Sequence, residues 1–303
     1  MKLLFILALI MCGAGVLSSC NTANPAVNGR RVVRIAYLPI SHSAAVMVLP
    51  ETNSADDEIF IELVRLNAWP EVVEALRAGH VDGASLLFEA AVTAFNMGSP
   101  IRALSLSHRD GNVLVAANYI NSLDELAGQT IAIPHSLSPH KTLLGMLLSR
   151  YSLSFDDINL VEINPAEMPF TLAARAISAY VVAEPWGTLA EARGAGHILA
   201  HSHDHAPGAL CCVFVVNTDN LDFDLHEVLL TRFDRAAALT SAFDESVFAA
   251  FAETTSFERD IVEISLELTR FTNLRISRDD YERTITILQD TVICVNFRAL
   301  RIL

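Results

Sequence analysis

Glu184-Pro185-Trp186 is the first group whose order suggests chemistry. It closes the apolar run 180–183, which is long enough for one buried strand. Proline cannot donate to a ladder, so the strand stops and leaves a carboxylate and an indole at its carboxyl end. In open α/β sheets that end is where ligands bind. The carboxylate can accept from an amine or heterocycle N–H, or brace the strand end. The indole can stack on a ring or fill the core. His108 and Arg109 follow another apolar run, within Ser107-His108-Arg109-Asp110-Gly111. The Arg109 guanidinium is a planar cationic fork suited to nitrate, sulfonate or carboxylate, or to an ion pair with Asp110. In 134–140, Ser138 precedes Pro139, the signature of a helix N-terminus whose free N–H groups can meet an anion or a carbonyl. His135, Ser136 and Ser138 belong to that candidate site. Ser41, His42 and Ser43 end the first strand in the same manner.

Two further groups invite a metal reading. His201, His203 and His205 alternate, and on a strand three imidazoles would share one face, a plausible zinc or copper set. Ser202, Asp204, Pro207 and Gly208 point instead to a solvated loop, so no metal centre is expected there. Cys211 and Cys212 stand in an apolar run and read as small buried hydrophobes, since adjacent cysteines rarely bridge. No disulfide framework and no cofactor are implied. A Gly-rich phosphate loop, a nucleophile elbow and a zinc-protease helix are all missing from the sequence, which favours binding over catalysis.

The elements that must position these residues alternate. Strands are predicted at 31–40, 59–66, 81–85, 101–106 and 112–118, with helices after residue 69 and over 88–97. The pattern restarts with strands at 130–134, 158–163, 180–183, 197–200 and 210–217 and helices at 141–151 and 167–176. Helices at 225–243, 245–253, 257–270 and 279–288 follow. Strands alternating with helices imply mostly parallel sheets. Two such sheets make a two-lobed α/β clamp, with residues 32–113 and 215–303 in lobe 1 and 114–214 in lobe 2. Strand-end loops of both lobes would face one cleft.

The chain has 303 residues, 52% of them hydrophobic, enough for a large core. Residues 1–19 form a short apolar run after a minimal basic start and read as a secretory signal. Leu17-Ser18-Ser19-Cys20 resembles a bacterial lipobox, which makes Cys20 the lipidated residue and 20–31 a polar tether. The formal net charge of −14 argues against nucleic acid or an anionic lipid surface as partner.

Six segments, taken in order, resemble the substrate-binding proteins of ABC importers for nitrate, sulfonate, taurine and bicarbonate, grouped with thiamine-precursor binders. They are Ala36-Tyr-Leu-Pro39, Ala78-Gly-His-Val-Asp-Gly-Ala84, Ser107-His-Arg-Asp-Gly111, Ile131-Ala-Ile-Pro-His135 with Ser138 and His140, Glu167-Met-Pro169, and Ala183-Glu-Pro-Trp186. The resemblance spans roughly residues 32–220 and implies a type II periplasmic-binding-protein fold, each lobe a mostly parallel sheet flanked by helices. It implies a binding protein, not an enzyme, that closes on a small anionic or heterocyclic solute; with the lipobox reading, the expectation is a lipid-anchored extracytoplasmic monomer. It also implies an ABC permease and ATPase as partners and contact with the membrane through the anchor alone. The carried-over cleft residues are Ile40, Ser41, His42, Ser85, His108, Arg109, His135, Ser136, Ser138, Glu184, Pro185 and Trp186. Segment 50–58 looks shortened against the family pattern, and 293–303 lacks its closing helix. Three alternatives stay open: a sensor, a metal binder, and a thiamine-pyrimidine-synthase-like enzyme whose Cys-rich motif Cys211-Cys212-Val-Phe214 superficially resembles. Scarce lysines and an export signal weigh against the enzyme.

Overall fold

Short apolar runs cut by proline, glycine and polar turns form short buried strands, and among the described residues these assemble into two main sheets and one two-stranded ribbon. A computed structural model describes residues 26–54, 58–207 and 210–290. The leader, Cys20, Cys294 and segment 293–303 lie outside the described residues. The chain begins with β1 (Ala26–Val27), β2 (Arg30–Tyr37), α1 (Ala44–Met47), β3 (Ile59–Arg65), α2 (Trp69–Arg77), β4 (Gly83–Leu87), α3 (Phe88–Asn96) and β5 (Ile101–Leu106). A short β6 (Arg109–Asp110) leads to β7 (Asn112–Ala116), β8 (Thr130–Ile133), α4 (Pro139–Ser149), β9 (Asn159–Glu162) and α5 (Met168–Ala173). β10 (Ala179–Ala183), α6 (Trp186–Ala192), β11 (His197–His201) and α7 (Ser202–His205) complete that half. The chain returns through β12 (Cys212–Asn217) and continues as α8 (Phe223–Ser241), α9 (Glu245–Thr254), α10 (Arg259–Glu267), β13 (Thr269–Arg270) and α11 (Arg278–Asp290).

The first sheet runs β1-β2-β4-β12-β5, with β3 also on β2. The second runs β11-β7-β10-β8-β9. Both are parallel apart from one return strand each, β12 between β4 and β5 and β7 between β11 and β10, and the small β1 hairpin. β12 is buried along its whole length. Each fully buried Val or Phe of such a strand contributes roughly 1.5–3 kcal/mol. Phe214 stacks on Phe233 at 4.8 Å between centroids and ties α8 to this sheet. In the second sheet successive residues of β10 point to opposite faces. Val181 joins Leu114, Ile131 and the leucines of α4, whereas Tyr180 and Val182 join Met168 and Leu172.

Three stretches differ from their sequence-based expectation. The end of the predicted tether pairs with β2 as β1. The predicted helix 257–270 ends at Glu267, because Thr269 and Arg270 pair with Asp110 and Arg109 of β6, and Arg270 Nε reaches Asp110 Oδ2 at 2.6 Å. Residues 202–205 form one helical turn rather than a loop. Among the described residues no helix is long and apolar enough to cross a membrane.

Candidate functional site

Strand ends of the first sheet deliver the chemistry. Leu38-Pro39 stops β2, and Ser41–Ser43 then turn in one 3-10 step that buries His42. His108 sits between β5 and β6 and is buried. Cys211 and Cys212 enter β12 where Cys212 pairs with Leu87 of β4, and both are buried free thiols. Donor atoms of these four residues all lie within 4.8 Å of one another. The His42 and His108 rings stack at 3.5 Å. His42 Nδ1 lies 3.7 Å from Cys211 Sγ and 3.9 Å from Cys212 Sγ. The two sulfurs are 3.9 Å apart. Gly111, at φ +82°, is required beneath them: a Cβ there would meet Thr269 Oγ1 at 2.5 Å and His42 Nε2 at 3.0 Å.

The first strand residue of β7 and helix α4 border this group. Asn112 Nδ2 donates to Cys211 Sγ at 3.2 Å. Thr142 of α4 donates to buried Glu89 Oε1 at 3.3 Å. His140, in the first turn of α4, is buried with its ring parallel to that of His42 at 6.4 Å. His42 Nε2, both nitrogens of His108, both of His140 and Glu89 Oε2 are buried without a hydrogen-bond partner. Buried polar atoms are ordinarily paired, so this concentration of orphans in one place marks a seat for something that accepts their lone pairs. Beside Cys211, Glu89 and Thr142 lies a small cavity of about 30 Å³, above the ~10–15 Å³ needed to admit one water.

Burial sets the electrostatics. It lowers the pKa of His108, helped by neighbouring His42, and takes His140 down to about 4, so both rings stay neutral. Burial works against a Cys211 thiolate, but the contact with Cys212 and the two histidines together hold Cys211 well below the ordinary thiol range. Cys212 is pushed the other way by burial and by Cys211. Burial pushes Glu89 well up. Two sulfurs and the imidazole nitrogens together make a soft donor set.

Of the sequence-predicted residues, His42 and His108 belong to this group. Ser41 N–H donates to the Glu184 carbonyl at 2.9 Å, and Ser41 Oγ lies 3.0 Å from Thr269 Oγ1. Ser85 donates to Ser107 at 2.9 Å in the strand layer. Glu184 is buried, accepts from Thr188 N–H at 2.9 Å, and is raised to about 7, chiefly by burial. Ser138 caps α4, accepting from Lys141 N–H at 3.3 Å, and donates to the His135 carbonyl at 2.6 Å; Ser136 is exposed. Arg109 turns away from the group: Nε donates to the Asn273 carbonyl at 2.8 Å and Nη2 pairs with Asp280 Oδ2 at 2.9 Å. Ile40 and Trp186, after Pro185, line a separate cavity of about 790 Å³ with Arg65, Phe170, Arg175 and Phe257. His201, His203 and His205 do not form the converging set; among the described residues that set is His42, His108, Cys211 and Cys212. Sequence reasoning missed Cys211, Cys212, Glu89 and His140 as site residues. The signal for the cysteines was their resemblance to a Cys-rich motif.

The ligand-binding component of an ABC-type import system from Staphylococcus aureus, solved with zinc bound, is 30% identical to this chain. The match covers 86% of this chain and 92% of that one, with a TM-score of 0.80. The alkanesulfonate-binding protein SsuA from Xanthomonas axonopodis pv. citri, bound to MOPS, shares the fold at 18% identity, a TM-score of 0.73, and 89% and 96% coverage. The bicarbonate transport ATP-binding protein CmpC of Synechocystis sp. is 28% identical over 192 residues. That is 55% of this chain but 28% of the relative, so the chain spans under a third of that protein's length. The model of the NMT1-like family matches residues 28–228, and with the shared solute-binding-protein fold this establishes that the chain belongs to the NMT1-like family.

Proposed function

We propose that this protein is the solute-binding component of an ABC importer and that its cargo is a thiophilic d10 metal ion, zinc or copper(I). The observation that carries the proposal is the convergence of four buried donors, His42, His108, Cys211 and Cys212, within 4.8 Å. With Zn–S near 2.3 Å and Zn–N near 2.0–2.1 Å, tetrahedral sulfur–nitrogen and sulfur–sulfur edges come to roughly 3.5–3.8 Å. The sulfur–sulfur and sulfur–nitrogen separations of 3.7 to 3.9 Å already lie near that spacing. The zinc in the Staphylococcus aureus relative supports the same reading. Both named structural relatives are ligand-binding proteins, which supports binding over catalysis. Capture proceeds by closure of the two halves over the ion, Cys20 carries the lipid anchor outside the cytoplasm, and a permease and ATPase receive the cargo from a monomer.

A second reading, a small organic anion, is favoured by one observation: the cavity of about 790 Å³ combines Arg65 and Arg175 with Phe170, Trp186 and Phe257. One experiment separates the two. Chelator-stripped protein is titrated with Zn²⁺ and, under reducing conditions, with Cu⁺ against a chromophoric chelator. One equivalent should bind, and Cys211→Ser/Cys212→Ser should lose it. No metal uptake, together with a thermal shift from nitrate, bicarbonate or an alkanesulfonate, would transfer the function to the cavity; a ligand at a hundred times its dissociation constant stabilises by about 2.7 kcal/mol.

A further inference from the structure

We propose that His140 is a fifth donor when the ion is zinc, supplied from the opposite half of the molecule, and that it couples zinc occupancy to closure. The inference rests on the metal reading above and extends it. His42, His108, Cys211 and Cys212 all belong to strand ends of the first sheet. They form one side of the site, all carried by the first sheet and the loops at its strand ends. His140 comes from α4, whose leucines pack on the second sheet.

The local chemistry of His140 is otherwise unexplained. The ring is 1% exposed, and neither nitrogen has a hydrogen-bond partner. A helix start needs no histidine at this position: Ser138 already caps α4 and Pro139 already opens it. Burying an imidazole with both nitrogens unpaired opposes folding unless a partner arrives. The ring lies parallel to His42, 11° from coplanar orientation and 6.4 Å away, on the cluster side of α4. Thr142, one half-turn on, reaches Glu89 at 3.3 Å, and Asn112 reaches Cys211 at 3.2 Å. The Thr142 and Asn112 side chains thus each contact a group bordering the proposed ion.

The thermodynamic consequence is direct. A ligand shifts an open–closed equilibrium only by its difference in affinity for the two forms. Four donors on one half give no such difference. A fifth donor available only after closure does, and zinc accommodates expansion from four to five ligands.

The test uses the full-length chain and two single variants, His140→Ala and His140→Cys, beside Cys211→Ser/Cys212→Ser. Zinc affinity is measured by chelator competition, and the radius of gyration by small-angle X-ray scattering with and without the metal. Wild type should bind one equivalent and become more compact. His140→Ala should still bind one equivalent, with affinity lowered about tenfold or more, and should lose the metal-dependent compaction. His140→Cys, which restores a donor, should regain compaction, whereas a purely packing role for the ring would not be rescued by so small a side chain. X-ray absorption should count one fewer imidazole in His140→Ala than in wild type. The inference is overturned if His140→Ala binds and compacts as wild type does, or if its imidazole count is unchanged. If wild type itself takes up no metal, the metal reading fails, and this inference with it; the two failures are told apart by the wild-type titration alone.

Discussion

The molecule has two regions rich in histidine, and they behave in opposite ways. His201, His203 and His205 lie within five positions of one another and stay at the surface. There His203 meets Asp204 at 3.3 Å, and His205 Nδ1 meets Arg150 Nη1 at 2.6 Å. His42, His108, Cys211 and Cys212 are scattered across the chain, yet their donor atoms share one buried point. The first region can satisfy its polar atoms with water and neighbouring charges. The second cannot, because folding strips its water and leaves His42 Nε2 and both nitrogens of His108 unpaired. Sequence density of a ligand type therefore says less about a metal site than burial without partners.

The sharpest way to break this contrast is to remove the sulfurs. Cys211→Ser/Cys212→Ser should weaken zinc or copper(I) affinity by at least about a hundredfold, since first-sphere thiolates are replaced by poor donors for a soft ion; a wild-type-like titration would abolish the distinction between the regions. Arg109→Ala comes next and acts on stability. Its side chain and that of Asp280 are only 12% and 10% exposed, so breaking the pair should cost about 2–3 kcal/mol in denaturant unfolding. Metal affinity should stay within about twofold, because the guanidinium points to α11 and not to the cluster. Loss of binding without loss of stability would restore the arginine to the site.

Glu184 sharpens the comparison through pH. Its carboxyl is raised to about 7 by burial, so the folded chain holds a proton that the unfolded chain releases at ordinary carboxylate pKa. The sign is fixed: stability from this group is complete at low pH and declines as pH rises from about 4.5 to about 7, by up to about 1.4 kcal/mol per unit. Metal-free Glu184→Gln should lack that decline when unfolding is followed across the window; identical slopes in both proteins would remove the buried carboxyl from the explanation. Smallest of all, the triple variant His201→Ala/His203→Ala/His205→Ala should leave metal affinity unchanged and stability within about 0.5 kcal/mol. Any loss of tight binding would make the surface region the metal seat.

Much of the fold is legible in the sequence. The run Ile101–Leu106 reads as a strand and is one. Ser138-Pro139 announces a helix, and α4 starts at Pro139. These are local matters, decided by side-chain period, proline geometry and capping. Arg109 shows the limit. Its type and position suggested an anion contact or a partner in Asp110, but Asp110 pairs with Arg270 and Arg109 pairs with Asp280 from a distant helix. Cys211 and Cys212 show it again. The apolar run announced their burial correctly, yet burial alone does not distinguish a small hydrophobe from a ligand.

The amino-acid sequence by itself determined the alternation of strands and helices, the polar loops at strand ends, and which side chains would be excluded from water. Those properties follow from contacts a few residues apart. Only the tertiary structure decided which of the excluded groups would meet. Inserting β12 between β4 and β5 brings Cys211 and Cys212 to His42 and His108. That pairing is set by strand order and by packing across residues far apart in the chain, a register that no local period encodes.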